Sequence, residues 1–207
     1  MRYKLKVKDI IKENYNVKTF RLEKKFDFNP GEHCFIIYEG AKRPFTISSS
    51  IDSNFIDFTI KKVGYVTSNL FNNISVSDYL EVEGPMKSNL SINPNPNKKY
   101  VFIAGGTGIT PFSSILLSYP KYKDNFKVFF TNSTKKDIFF KDRLKGFNVD
   151  FIVTERDGRI NKEFLLKKVE DLSNKHFVLC GPKPMEESIK VCLKKLNVDN
   201  SKVISFY

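Results

Sequence analysis

The chain has 207 residues, 41% hydrophobic and 14% aromatic, and its Lys and Arg outnumber Asp and Glu by 35 to 23 for a formal net charge of +12. That length buries one good core or two small ones, and the composition excludes the disordered and fibrous classes. No apolar run reaches membrane-spanning length, and Met1–Val7 alternates like a strand where a signal peptide would be apolar, so the expectation is a cytoplasmic protein without membrane insertion. Cys34, Cys180 and Cys192 are widely spaced, and His33 and His176 are isolated, which argues against an iron–sulfur centre, a structural zinc or any other metal. Lysines are spread evenly with no basic stripe of interleaved aromatics, so no nucleic-acid partner is expected. An acidic protein partner and a plain compositional bias both fit the charge.

The first half reads as β. Runs rich in β-branched and aromatic residues recur at Tyr3–Ile11, Val17–Leu22, Cys34–Tyr38, Phe45–Ser49, Phe55–Lys61 and Tyr79–Val82. Asn29-Pro30-Gly31, Glu39-Gly40 and Gly84-Pro85 supply turns between them. The pattern predicts a small six-stranded antiparallel barrel. Inside it, Arg43-Pro44-Phe45-Thr46 reads as an edge strand started by proline. Gly64-Tyr65-Val66-Thr67-Ser68-Asn69-Leu70 reads as a glycine turn capped by Thr67. The polar stretch Asn93-Pro94-Asn95-Pro96-Asn97-Lys98-Lys99 carries no periodicity and marks a linker. Two domains are expected, 1–95 and 96–207.

Past the linker, strands alternate with helices. Tyr100–Ala104, Lys127–Asn132, Val149–Thr154, His176–Cys180 and Lys202–Phe206 are candidate strands, and Phe112–Ser118, Lys141–Lys145, Lys162–Leu172 and Met185–Leu196 candidate helices. This predicts a doubly wound parallel-sheet domain with ligands at the carboxyl ends of its strands. The stretch Tyr100-Val101-Phe102-Ile103-Ala104-Gly105-Gly106-Thr107-Gly108-Ile109-Thr110-Pro111-Phe112 joins a buried strand, a glycine turn and a helix start with Thr110 at the N-cap and Pro111 at the first helical position. Unpaired N–H groups and a positive helix end converge there, which suits a phosphate. Cys180-Gly181-Pro182-Lys183-Pro184-Met185 repeats the arrangement of strand, glycine and proline.

Ala104-Gly105-Gly106-Thr107-Gly108-Ile109-Thr110-Pro111-Phe112, Arg43-x-Phe45-Thr46, Gly64-x-x-Thr67-x-x-Leu70 and Cys180-Gly181-Pro182-x-x-Met185, in that family's order, resemble the motifs of the ferredoxin–NADP reductase family. The resemblance implies an FAD-binding barrel followed by an NAD(P)-binding α/β domain. Arg43 would pair with the flavin pyrophosphate, with Pro44 beside it. Phe45, where the family usually has tyrosine, would lie on the isoalloxazine, and Thr46 would offer its hydroxyl to flavin N5. Ile60, Lys61 and Lys62 would run along the flavin tail toward the helix start at Gly64, Val66 and Thr67. Gly105, Gly106, Thr107, Gly108, Ile109 and Pro111 would hold the pyridine nucleotide, and Cys180, Gly181, Pro182 and Met185 would close on its nicotinamide half. Tyr207 would cover the flavin, as the terminal tyrosine of the plant-type branch does.

No carboxylate stands within Thr131-Asn132-Ser133-Thr134-Lys135-Lys136, where an NAD-selective enzyme often has one, and Arg156 ends the next strand. Ser133, Lys135 and Arg156 therefore tilt the expectation to NADP over NAD. The expected activity is hydride transfer from NAD(P)H to FAD, with Thr46, Cys180 and Tyr207 at the reacting rings, and electron delivery to a carrier such as ferredoxin or flavodoxin. An electron-transfer subunit of a larger dihydroorotate dehydrogenase or hydrogenase complex is the alternative within the class. A basic binding module that keeps the fold without catalysis is the alternative outside it. The acceptor and the oligomeric state are not legible.

Overall fold

In the computed structural model, which describes residues 1–206, the alternation of the first half becomes six strands. They are β1 (Arg2–Lys12), β2 (Val17–Glu23), β3 (His33–Tyr38), β4 (Ala41–Thr46), β5 (Phe55–Lys61) and β6 (Tyr79–Met86). A nine-residue helix, α1 (Tyr65–Asn73), lies between the last two. The sheet is antiparallel in the order β4-β3-β6-β1-β2-β5. A bridge between Ile47 and Phe58 joins the segment after β4 to β5, so the two edges meet as a barrel requires. Period-2 alternation sends Leu5, Val7, Phe20, Leu22, Ile56, Phe58, Ile60, Leu80 and Val82 into one core.

The fourth strand starts four residues earlier than the predicted Phe45–Ser49. Glu39 and Gly40 both take positive φ, 48° and 75°. That is the two-residue hairpin geometry whose twist matches its flanking strands. It pairs Tyr38 with Ala41 immediately, so β4 is complete by Thr46. The segment that follows is fixed by other bonds. Ile47 N donates to Glu32 O at 3.0 Å and Ser48 N to Asp57 O at 2.9 Å, while the Ser48 and Thr59 hydroxyls lie 2.9 Å apart.

The second half forms β7 (Lys99–Gly105), α2 (Ile109–Ser118), β8 (Phe126–Asn132), β9 (Val149–Val153), α3 (Thr154–Asp157), α4 (Lys162–Lys168), β10 (Lys175–Cys180), α5 (Lys183–Lys195) and β11 (Val203–Ser205). All five strands are parallel, in the order β11-β10-β7-β8-β9. Ile189 and Leu193 of α5 pack with Val101, Ile103, Phe129, Phe177 and Leu179 in a second core.

The predicted helix at Lys141–Lys145 is instead a run of turns. Phe140 sits at φ 63°, which an L-residue inside a right-handed helix does not adopt, and Leu144 N closes a turn on its carbonyl. The predicted Lys162–Leu172 helix stops at Lys168, ahead of Asp171 at φ 47°. Thr110 is not an N-cap. A 3-10 turn at Gly106–Gly108 winds directly into α2, leaving Thr110 and Pro111 inside its first turn.

The chain divides into two compact units. One comprises Met1–Ile92 with Thr110–Ser118, the other Asn93–Ile109 with the chain from Tyr119 onward. In the first unit, serines of α2 dock on the segment after β4: Ser113 Oγ donates to Ser48 O (3.0 Å), Ser114 Oγ donates to Ser49 O (2.8 Å), and Ser118 Oγ accepts from Ile51 N (3.1 Å). No helix among the described residues is long and apolar enough to cross a membrane.

Asp57 is 1% exposed and takes a two-pronged ion pair from its cross-strand neighbour Arg21, at 3.0 and 3.2 Å, beneath the Phe55 ring. Asp57→Ala removes the carboxylate and leaves the half-buried Arg21 guanidinium with only the weaker attraction of Asp9 and Glu13. Unfolding by urea should show a loss of about 3 kcal/mol, the low end for a broken buried pair, because Arg21 keeps part of its side chain in water. A loss under about 1 kcal/mol would mean that the pair behaves as an ordinary surface one.

Candidate functional site

In the first unit, the expected flavin residues fall into two groups. Arg43 and Pro44 are exposed and Phe45 and Thr46 half-buried, all on the edge strand β4. Alternation puts Arg43 and Phe45 on one face and Pro44 and Thr46 on the other. The Phe45 ring also packs against the barrel core. Among the described residues, the Arg43 guanidinium donates only to the carbonyl of Lys42, at 3.0 Å, and so retains donors for an outside anion. At the start of α1, Thr67 Oγ1 accepts from the N–H groups of Val63 and Gly64 at 2.9 and 3.0 Å. Nothing lies within 4 Å of where a Gly64 Cβ would be. Val63 and Tyr65 beside it are 79% and 76% exposed. An open helix start flanked by apolar side chains with no protein cover suits a pyrophosphate with an aromatic group attached.

Two of the flavin-tail residues behave differently from the expectation. Ile60 is 1% exposed and belongs to the barrel core, so only its main chain is available. Lys62 is exposed and donates to Asn72 Oδ1 at 3.3 Å, on α1. Val66 turns inward against the core and contributes position rather than contact.

In the second unit, the two glycine turns lie side by side, because β7 and β10 are neighbours with Cys180 level with Ala104. A Cβ on Gly108 would lie 2.0 Å from Cys180 O, and one on Gly105 would lie 2.7 Å from Met185 Sδ and 2.9 Å from Pro182 Cδ. A Cβ on Gly181 would lie 2.4 Å from Met185 Cε. Gly106 needs its freedom for a different reason. Its φ is 54°, and nothing stands within 4 Å of the missing side chain. The result is a cradle of bare main chain at the topological switch between β7 and β10, the place where such sheets bind nucleotides. Thr107 is half-buried at its rim, while Ile109 and Pro111 are buried and act by shaping the start of α2.

Cys180 is a free cysteine of intermediate exposure. Burial, reinforced by the Glu186 carboxylate, pushes its thiol up to about 12, so it is a neutral thiol at physiological pH. Of the expected 2′-phosphate ligands, Ser133 and Lys135 are exposed at the end of β8. Arg156 is already engaged: its Nε and Nη2 donate to the Asp157 carboxylate at 2.7 and 2.8 Å. That contact, with the N–H of Val153, holds Asp157 down to about 2. Tyr207 lies outside the described residues.

Three residues that sequence reasoning missed stand at these sites. His33 is directly across from Thr46 in the β3–β4 register, a relation that depends on the hairpin turn and not on any motif. Glu186, fully buried, accepts from Gly181 N at 2.9 Å and fixes the second turn. An acid in the first turn of a helix was its only signal. Asn132, 6% exposed, ends β8, and its Nδ2 has no hydrogen-bond partner among the described residues. A buried donor left unmatched costs about 1–3 kcal/mol, and Asn16 Oδ1 and Ser91 Oγ are in the same state elsewhere.

Both halves match known proteins. A family model described as "Oxidoreductase FAD-binding domain" covers residues 2–89, and one described as "Oxidoreductase NAD-binding domain" covers residues 102–150. "NADH-cytochrome b5 reductase 1" of Scheffersomyces stipitis is 30% identical over 94% of this chain and 78% of its own length. "Probable dihydroorotate dehydrogenase B (NAD(+)), electron transfer subunit" of Methanocaldococcus jannaschii is 26% identical over 93% of this chain and 74% of its own length. Among solved structures, the flavohem-like FAD/NAD binding domain of nitric oxide dioxygenase from Vibrio cholerae shares the fold, with a TM-score of 0.85 at 20% identity over 98% of this chain and 96% of that one. Fold and family models together define an NAD(P)H-dependent flavoprotein reductase, with FAD and a pyridine nucleotide as its cofactors. The chain belongs to the ferredoxin–NADP reductase family.

Alkylation reads the state of Cys180 directly, because only the thiolate reacts. With its thiol at about 12, labelling of Cys180 by iodoacetamide, followed by peptide mass mapping, should stay slow up to about pH 9.5 and climb only beyond. Labelling that is half-maximal near the ordinary thiol value of about 8.5 would overturn the neutral-thiol assignment.

Proposed function

We propose that this reductase takes a hydride from NADH and passes electrons to a separate acidic electron-carrier protein. The FAD-binding domain would be residues 1–95 and the nucleotide-binding domain residues 96–207. The observation that carries the reading is the glycine interlock of the two turns, which holds two main chains together at the carboxyl ends of β7 and β10 with open space only beside Gly106. NADH is favoured as donor because Arg156 is neutralised by Asp157 and because the named relatives are described with NADH or NAD(+). NADPH is the second reading, supported by the exposed Ser133 and Lys135. The net charge of +12 favours an acidic partner, whether a small carrier or, as the name of the second relative suggests, the catalytic subunit of a complex.

Bound FAD supplies a hydride acceptor and a source of single electrons, which no side chain of the chain can provide. The chain's own residues hold and tune it. Arg43 offers a planar pair of donors to the pyrophosphate. Phe45 gives an apolar ring for the isoalloxazine. Thr46 would donate its hydroxyl to flavin N5, with His33 opposite it. Gly106, Thr107 and Gly108 would receive the nucleotide pyrophosphate, and Gly181, Pro182 and Met185 would bound the nicotinamide. Cys180, as a neutral thiol, would pack beside the nicotinamide without adding charge. Tyr207 would cover the flavin when no nicotinamide is present.

Two measurements test this function. Arg43→Ala should weaken FAD by one to two orders of magnitude, from the roughly 1.5–3 kcal/mol of a charge-assisted hydrogen bond, in a flavin-fluorescence titration. Wild-type affinity in that variant would remove Arg43 from the site. In stopped-flow reduction of the FAD-loaded protein, NADH should bleach the flavin at least as fast as NADPH. A clear advantage for NADPH would reverse the donor assignment in favour of Ser133 and Lys135, and no bleaching by either nucleotide would end the reductase reading.

A further inference from the structure

We propose that Ser113 and Ser114 of α2 are positioning residues for the flavin, an inference that rests on the reading above of Thr46 at the flavin. They act by fixing the main chain that directly follows Thr46. The FAD-binding family model ends at residue 89, so neither serine lies within it.

After Thr46 the chain leaves the ladder of β4 with β3 and crosses to β5, with one bridge from Ile47 to Phe58. β5 holds one side of this segment. Ser48 N donates to Asp57 O at 2.9 Å, Asp57 N donates to Ser49 Oγ at 3.1 Å, and the Ser48 hydroxyl lies 2.9 Å from that of Thr59. No strand of the described sheets pairs with the other side. Ser48 and Ser49 are both buried, so water does not serve their carbonyls, and a buried carbonyl without a partner is costly. The partners come from α2. Ser113 Oγ donates to Ser48 O at 3.0 Å and Ser114 Oγ to Ser49 O at 2.8 Å, while Ser118 Oγ accepts from Ile51 N.

Both serines are themselves fully buried, on a helix that also buries Ile109, Phe112, Ile115 and Leu116. A serine inside a helix often bonds back to a carbonyl of its own helix. These two reach outward instead, to consecutive carbonyls of an extended chain. Two adjacent hydroxyls thus replace the neighbouring strand that the segment lacks. Ser48 is the second residue after Thr46, so slack at its carbonyl is passed to the Thr46 hydroxyl. Misplacing a positioned group by about 1 Å can cost about 100-fold in rate, which makes this anchoring matter to hydride transfer.

Ser113→Ala and Ser114→Ala, singly and together, remove the donors with little change of volume. Hydrogen exchange followed by mass spectrometry on the FAD-free protein should show the amides of residues 47–51 exchanging at least about 10-fold faster in the double variant, with β1 and β2 unchanged. Unchanged exchange there overturns the proposal. In stopped-flow bleaching by NADH at saturating FAD and nucleotide, Thr46→Ala should slow reduction by about 10-fold, the value of a lost hydrogen bond. The serine variants should slow it by at least about 3-fold in the unaltered background and by less than about 2-fold in the Thr46→Ala background, because they act through Thr46. A merely structural role would slow both backgrounds by the same factor, and that result overturns the proposal. If the double variant does not fold, the single variants carry the same comparison. If Thr46→Ala alone leaves the rate unchanged, the reading of Thr46 at the flavin fails and this assignment falls with it. If Thr46→Ala slows reduction and the serine variants do not, the assignment of Ser113 and Ser114 alone fails.

Discussion

Between the carboxyl ends of β7 and β10, two main chains approach so closely that no side chain fits between them. A single added carbon on Gly108 would overlap the carbonyl of Cys180, and one on Gly181 would overlap Met185. The geometry of both glycine turns depends on that approach. It follows from the parallel pairing of the two strands and from the reversal of strand order at β7, which brings the ends of two consecutive-looking but non-adjacent segments together. Glu186 holds the second turn from below through the N–H of Gly181, and Met185 fills the space that side chains on the glycines would have taken.

The barrel solves a similar problem with an edge strand. The positive φ angles at Glu39 and Gly40 set the hairpin register, and the register presents Arg43 and Pro44 at the open edge. Past Thr46 the chain is pinned by Glu32 O, Asp57 O and the Thr59 hydroxyl, so the motif is a short projecting stretch held at its far end by buried polar bonds. Such bonds are stiff inside a low-dielectric core. The same core explains why Ile60, expected along the flavin tail, has no side chain to give: its period-2 position belongs to the interior.

Charge at the ends of β8 and β9 is less positive than a tally of side chains suggests. Asp157 neutralises Arg156, and Asp137 turns back to cap Thr134. Both carboxylates lie one residue beyond the stretches in which cations are apparent by inspection. What stands at the end of β8 is a set of exposed lysines beside a buried, neutral carboxamide.

Sequence by itself determined the class of each half, the order of the strands along the chain and the two glycine turns, because periodicity and glycine placement are local and survive without neighbours. Four motifs in the ferredoxin–NADP reductase order carried the family. The predicted helix at Lys141–Lys145 is a run of turns that follows Phe140, a residue in a left-handed conformation that no local propensity announces. Only the tertiary structure decided who is a partner of whom. That Gly108 faces Cys180, that His33 faces Thr46, that Arg156 is bound by its neighbour and that Asn132 is buried without a partner are relations set by strand register and by competition among nearby groups. Register is fixed by turns and core packing across dozens of residues, so it cannot be read from the few residues that carry the chemistry.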